Sequence, residues 1–392
     1  MKVSTKTTFD IECFDCACPG QWLYLLGDEG VVYSEARRRF AGLDAAGVSA
    51  YRAFDAGAQV EELRSIGDVF GSSAHSADGL EAIHALAQGI FPDDDSANQP
   101  QEICLNTNVS GATYEANAEI EIHGIPISIG CSAGPWEELC RDCFTNCNAS
   151  DKPAQWHLSA QSTGEAWAIY INDCKVFSML HEQQLGLGLL HAARSLLSAE
   201  GRYDVAFHAA MVASGDCGVM LCAPRECGKS TLTAYLVTQG FEFLADEPAF
   251  LHLDTWSVSP LQLPISLKEG SWHALRKHWP QLDVAPVHSR SDGTRVRMVY
   301  PPHERCSSRP RRLTQIVFPR YAPSSSEEME SLAPIHTLRL LSEGGVLLAK
   351  HFTRADFEAL LRFVLRTPAY RIQYASLEEA HRKLYEIGCL GG

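Results

Sequence analysis

The chain has 392 residues, 45% of them hydrophobic and 21% charged, with a formal net charge of −15. That length supports two or three domains with proper cores, and the composition is that of an ordinary globular protein. The acidic balance argues against a nucleic-acid-binding surface spread over the whole molecule.

Met1 to Gly20 carries Lys2, Lys6, Asp10 and Glu12 with no continuous apolar region, so no secretory signal is expected there. The longest apolar stretch, Leu185 to Leu197, is broken by Gly, His and Arg and reads as a core helix, not a membrane span. The expectation is a soluble, cytoplasmic protein with no membrane partner. Among the 14 cysteines, two clusters stand out: Cys13, Cys16 and Cys18, and Cys140, Cys143 and Cys147. Either has spacing that suits zinc thiolates, and reduced, partly buried thiols are the alternative. A disulfide framework does not suit a chain of this size.

Residues 15–92 read as a small separate unit. Trp22-Leu23-Tyr24-Leu25-Leu26 and Val31-Val32-Tyr33 are strand-like, and Gly27-Asp28-Glu29-Gly30 between them predicts a hairpin turn. Asp44 then predicts an N-cap, with Val48, Tyr51 and Phe54 on one face of the helix that follows. Val60 to Ile66 and Asp78 to Ile90 predict two more amphipathic helices. A hairpin followed by three helices, with LDAAGVSAYRAFDAG in the middle, resembles the PqqD-like fold, a small winged-helix-type α+β domain. The alternative is a winged-helix spacer with no ligand. The resemblance implies recognition of a precursor peptide, whose leader would add as a strand to a free edge of the hairpin at 22–40. Arg37, Arg38 and Arg39 at its end either bind leader carboxylates or form a solvated charge run.

Residues 93–100 form an acidic, Pro-bounded linker without periodicity. A larger α/β domain over 101–390 follows, with a mixed sheet and helices and a core at 204–270. Its first layer, 101–175, is β-rich, since Ala118 to Ile122 and Ala166 to Ile171 alternate.

Within that core, Ala223-Pro224-Arg225-Glu226-Cys227-Gly228-Lys229-Ser230 reads as a phosphate loop with Ala in place of the first Gly. The apolar run Gly218 to Cys222 supplies the strand before it. Ser230 to Val237 continues at helical spacing, with Leu232, Leu236 and Val237 on one face. Ala223 suits the loop if it keeps a negative φ. Backbone N–H groups of such a loop point at a phosphate chain, the lysine reaches the outer phosphates, and the hydroxyl ligates Mg²⁺. ATP and Mg²⁺ are therefore the expected cofactors, and Thr231 is placed at the α-phosphate. Gly240 stops the helix, and Phe241 to Ala245 predicts a strand that ends in Asp246-Glu247. His208 lies upstream, where a strand leads into the loop hairpin. Cys227 sits inside the loop, which predicts thiol-sensitive activity.

A His-bearing strand, a phosphate loop and an acidic pair so soon after it resemble the HPr kinase/phosphorylase family. A closer resemblance is to HPr-kinase-related proteins found with peptide-modification genes. It is carried by LHAARSLL, FHAAMVA, GKSTLTAYLVTQGFEFLADE, PLQLPISLKEGS, IVFPRY and PAYRIQYASLEEA, over roughly residues 170–390. The family implies that Asp246 orients or deprotonates an incoming hydroxyl. Glu247 stands where the family has a second Asp, and being longer it suits Mg²⁺ directly or through water. His208 would tune or orient Asp246, or be a satisfied core histidine. The family also implies that such kinases assemble, making a homo-oligomer a partner to expect.

Beyond this core, Lys268 after Ser266-Leu267 is either near the nucleotide or structural. Residues 288–320 hold Arg290, Arg295, Arg297, Arg305, Arg309, Arg311, Arg312 and Arg320 against Asp292 and Glu304. That local reversal suits phosphate or an acidic peptide, or pairing with the acidic remainder. Leu360 to Val364 and Leu377 to Ile387 predict closing helices.

The function these features support is an ATP-dependent kinase acting on a hydroxyl, Ser by preference, of a ribosomally made precursor peptide or protein. The alternatives are an ATP-binding peptide chaperone without transfer and a kinase of free hydroxy or amino acids. No LSGGQ-like stretch follows the loop, which disfavours a transporter-type ATPase.

Overall fold

The apolar runs Trp22 to Leu26 and Val31 to Tyr33 do not alternate, and the strands they form are covered on both faces. The computed structural model describes residues 3–6, 11–64, 77–91, 116–131, 143–162, 166–179, 181–224, 227–323 and 329–388. The predicted linker at 93–100, Cys140, and Arg225 and Glu226 of the loop lie outside the described residues. The chain forms two units, Met1–Gln99 with Ser331–Ala369, and Pro100–Glu330 with Tyr370–Gly392. The sequence places all of 101–390 in one domain, whereas the structure groups residues 331–369 with the N-terminal unit.

The packing of the N-terminal sheet explains that difference. Five antiparallel strands, β1 (Val3–Lys6), β2 (Glu12–Asp15), β3 (Gln21–Leu26), β4 (Glu29–Ser34) and β5 (Arg39–Leu43), lie in that order across the sheet. Leu26 pairs with Glu29, so Gly27, at φ +71°, and Asp28 make a two-residue turn. On one face Leu23, Leu25 and Val32 pack against α1 (Ala45–Asp55), α2 (Val60–Arg64) and α3 (Ala77–Ala87) through Val48, Tyr51, Phe54 and Leu80. Asp44 caps α1, its Oδ1 accepting from the Gly47 N–H at 2.7 Å. The other face carries Tyr24, Tyr33 and Phe40, which a hairpin with three helices would leave in water. Phe357, from the helix Arg354–Arg366, fills that face: its ring stacks on Tyr33 with centroids 4.3 Å apart and meets Tyr24 and Phe40 at 5.3 and 5.5 Å. Strands buried on both sides read as continuous apolar runs.

This arrangement corrects the expected docking edge. β3 and β4 are interior strands, paired on both sides, and the outer strands are β1 and β5. The helix Pro334–Gly344 lies along β5: Ser342 Oγ donates to Phe40 O at 3.0 Å, and a Cβ at Gly42 would come 3.2 Å from that of Arg339. Among the described residues, the β3–β4 hairpin itself therefore offers no free edge for an added strand.

The second unit begins with a sheet ordered Cys174–Met179, Trp167–Ile171, Trp156–Ser162, Ile125–Cys131, Ala116–Ile122 and Asn148–Ala149. The helix Leu185–Glu200 packs on it with Leu189, Leu190, Leu196 and Leu197 buried. No helix among the described residues is long and apolar enough to cross a membrane. A second sheet runs Glu242–Asp246, Ala209–Ser214, Cys217–Cys222, Arg311–Tyr321, Ser257–Ser259, Ala249–His252 and Val205–Phe207. Within it Cys217–Cys222 and Arg311–Tyr321 are parallel. A small sheet of Ile265–Lys268, Arg295–Val299 and Val287–Ser289 completes the unit. The protein is thus a mixed α/β fold with several mixed sheets.

Candidate active site

The loop strand Cys217–Cys222 is a buried apolar run, and its neighbours on both sides fix where the loop begins. Ala223 follows with a negative φ, so the methyl that replaces the usual glycine hydrogen meets no backbone conflict. Gly228, at φ +88°, caps the helix Lys229–Thr238 in the left-handed region that glycine alone enters without strain. Helical spacing predicts one apolar face for this helix, with Leu232, Leu236 and Val237 on it. It is in fact covered on two: Leu232 and Leu236 join one core cluster, while Ala234, Tyr235 and Val237 join another with Trp272 and Leu275. Trp279 Nε1 also donates to Ala234 O at 2.9 Å. A helix enclosed in this way holds its N-terminal amides at a fixed place, which anion binding requires. Gly240, at φ +105°, ends it, with Phe241 N–H donating to Leu236 O.

Sheet register brings the acids to this helix. Val205–Phe207 and Ala209–Ser214 form one line interrupted at His208, and Glu242–Asp246 and Ala249–His252 form another interrupted at Glu247-Pro248. The lines run antiparallel, with Ala210 opposite Asp246 and Phe207 opposite Ala249, so the two interruptions face each other. Glu247 N–H donates to Ala209 O at 3.1 Å, and Glu247 itself sits at φ +57°, an uncommon conformation for a residue with a Cβ. Its Oε1 lies 3.1 Å from His208 Nε2 and 3.1 Å from Lys229 Nζ. His208 was expected to tune Asp246. Its ring lies beside Glu247 instead, because register sets the histidine opposite the kink and not opposite the strand.

Lys229 is only 4% exposed, and Nζ donates to Ala223 O at 2.6 Å as well as pairing with Glu247. Asp246 is 5% exposed. Its Oδ1 accepts from Ser230 Oγ at 3.0 Å and its Oδ2 from the Ser266 N–H at 3.3 Å. Burial, and secondarily the Glu247 charge, push the Asp246 carboxyl up to about 6, against the pull of Arg194 and the two hydrogen bonds. Burial acts on Glu247 in the same direction, but His208 and Lys229 outweigh it and hold that carboxyl below its ordinary value. The two neighbouring carboxyls are thereby split, with Asp246 titrating above its ordinary value and Glu247 below.

Two residues to which the sequence reading gave no role join the site. Arg194, from the helix Leu185–Glu200, donates through Nη2 to Asp246 O at 3.2 Å, and its buried Nε has no hydrogen-bonding partner among the described residues. Ser266 supplies the backbone donor to Asp246, and its buried Oγ likewise has no partner among the described residues. Both lie in stretches that carried the family resemblance, LHAARSLL and PISLKEGS; only the fold shows that they converge. Cys227 within the loop and Thr231 just after it are half-buried, and Lys268 ends the strand that bears Ser266.

Three of the eight arginines in the arginine-rich stretch meet acids within the unit. Arg295 pairs with Glu269 at 2.5 Å, Arg311 with Glu242 at 2.5 Å, and Arg297 approaches Asp283 at 4.0 Å. The Ser230 hydroxyl and the carboxylates of Asp246 and Glu247 are hard oxygen donors of the kind Mg²⁺ takes, and orphaned Ser266 Oγ beside them adds a further oxygen. Among the described residues no group of three or more His, Cys, Asp or Glu side chains is disposed to hold a metal. No protein-family model matches the chain, and no curated protein matches it.

Proposed function

We propose that the chain is an ATP-dependent kinase that phosphorylates a hydroxyl, Ser by preference, of a ribosomally made precursor peptide or protein. On this reading the unit of residues 100–330 with 370–392 is an HPr-kinase-like phosphate-loop domain, and the N-terminal unit is a PqqD-like partner domain. The observation that carries the reading is the Ser230 Oγ to Asp246 Oδ1 contact of 3.0 Å, made next to a buried Lys229 at the start of an enclosed helix.

Phosphoryl transfer asks for positioning and charge stabilisation more than for covalent chemistry. Lys229 exchanges its contacts with Ala223 O and Glu247 for the outer phosphate oxygens. The loop N–H groups of Ala223, Cys227, Gly228 and the residues that follow hold the phosphate chain, Pro224 shaping the loop without donating, with Thr231 at its inner end. Ser230 and Glu247 would hold Mg²⁺, which would supply charge neutralisation at the phosphates. Asp246 accepts the hydroxyl proton, and a carboxyl near 6 suits that work at neutral pH because it is ionised yet basic enough. His208 keeps Glu247 charged and oriented, and Arg194 holds the Asp246 backbone.

The test is label transfer from γ-labelled ATP to a Ser-containing precursor peptide, run beside free hydroxy and amino acids. Labelled peptide supports the proposal. ATP binding with no labelled product would leave a peptide chaperone, and label on the free acids alone would leave a small-molecule kinase.

A further inference from the structure

Gly228 has two side chains packed against the place a Cβ would occupy: the Tyr374 hydroxyl at 3.2 Å and the Tyr321 Cβ at 4.0 Å. Tyr321 ends the strand Arg311–Tyr321, which runs parallel to the loop strand with Val317 opposite Leu221. Arg320 and Tyr321 therefore extend past the level at which the loop strand turns into the phosphate loop. In open α/β sheets ligands lie beyond those carboxyl ends.

The ring is mounted firmly but left open. The Ala322 N–H donates to Tyr374 O at 2.9 Å, which ties the end of the strand to its neighbour. The Tyr321 ring leans on Tyr374, 1% exposed, with centroids 5.9 Å apart and planes at 56°. Tyr321 itself is 55% exposed. Among the described residues only five large hydrophobic side chains are comparably exposed, and Tyr321 is the one set against Gly228. An aromatic ring backed by a buried second ring, open to water and adjoining a phosphate cradle, has the form of a stacking platform. The exposed Arg320 beside it adds a cation.

We propose that Tyr321 is the residue on which the nucleobase of the bound nucleotide stacks. The inference rests on the nucleotide reading of the loop and adds the subsite for the half of the ligand that the loop does not hold. Stacking tolerates any π-face, so purine identity is weakly discriminated at this position.

The experiment is calorimetric titration of the full chain, in Mg²⁺, with ATP and with inorganic tripolyphosphate, which has phosphates and no base. Loss of base–aromatic stacking predicts that Tyr321→Ala weakens ATP roughly 5- to 150-fold while tripolyphosphate binding stays the same. Tyr321→Phe and Tyr321→Trp retain wild-type affinity for ATP. An ATP affinity indifferent to Tyr321→Ala overturns the platform, and so does a parallel loss of tripolyphosphate, which would mean the ring supports the loop. A wild-type chain that binds tripolyphosphate as tightly as ATP overturns the platform alone. One that binds neither overturns the nucleotide reading and this inference with it.

Discussion

The Lys229 ammonium lies 3.1 Å from Glu247 Oε1, and the same oxygen lies 3.1 Å from His208 Nε2. A buried cation is thus balanced by a carboxylate that stands on a left-handed backbone kink. Removing one partner of such a pair leaves an uncompensated charge. Glu247 is partly exposed, so solvent recovers part of the loss, and Glu247→Gln is expected to lower stability by about 1–3 kcal/mol. A urea titration checks this; an unchanged midpoint would show that Lys229 does not depend on Glu247. On the kinase reading, Lys229→Ala is expected to remove nearly all turnover, read as product formed per enzyme.

Asp246 makes two linked predictions. Its folded carboxyl value, about 6, lies above the ordinary aspartate value. The native chain therefore binds more proton than the unfolded one between the two values, and this group's contribution to stability is lost as pH rises through that window. Asp246→Asn, which stays neutral, should melt higher than wild type at pH 8, by roughly 2–4 °C for each kcal/mol relieved, and should lose that advantage near pH 4. The same variant abolishes phosphoryl transfer while sparing ATP binding, and wild-type turnover falls as pH drops through about 6. Calorimetry at the two pH values and a pH–rate profile are the measurements; full transfer by the Asn variant would remove Asp246 from the role of base.

Phe357 closes the second face of the N-terminal sheet, stacked at 4.3 Å on Tyr33 and buried. Phe357→Ala opens a cavity under three aromatic rings, and about 3–5 kcal/mol of stability is expected to go with it. Hydrogen exchange of β3 and β4 should accelerate by a matching factor. Exchange at the wild-type rate would mean that residues 331–369 are not part of that core.

Cys222, at the end of the strand before the phosphate loop, and Cys227, inside the loop, stand in different surroundings. Cys222 is buried, and burial pushes its thiol up to about 12, whereas Cys227 is half-buried beside Gly228. Maleimide is expected to label Cys227 and to pass over Cys222, and ATP should slow both the labelling and the loss of activity. Equal rates with and without ATP, measured by mass spectrometry, would place Cys227 clear of the nucleotide.

Local signals in the chain were enough to find the Gly27-Asp28 turn, the Asp44 cap, the strand–loop–helix over 217–238, its Gly240 stop and the strand that delivers Asp246. Each depends on neighbours a few residues away, through backbone conformation and side-chain periodicity, and those are written directly in the order of residues. What the tertiary structure alone decided are meetings across long separations: His208 with Glu247 and not Asp246, Arg194 with the Asp246 carbonyl, and Phe357 with Tyr33. The apolar run at Trp22 to Leu26 announced that both faces are buried, but nothing in it names the helix, more than three hundred residues later, that covers the second. Partner choice at that distance is set by strand register and by which apolar surfaces remain uncovered once the sheets have formed.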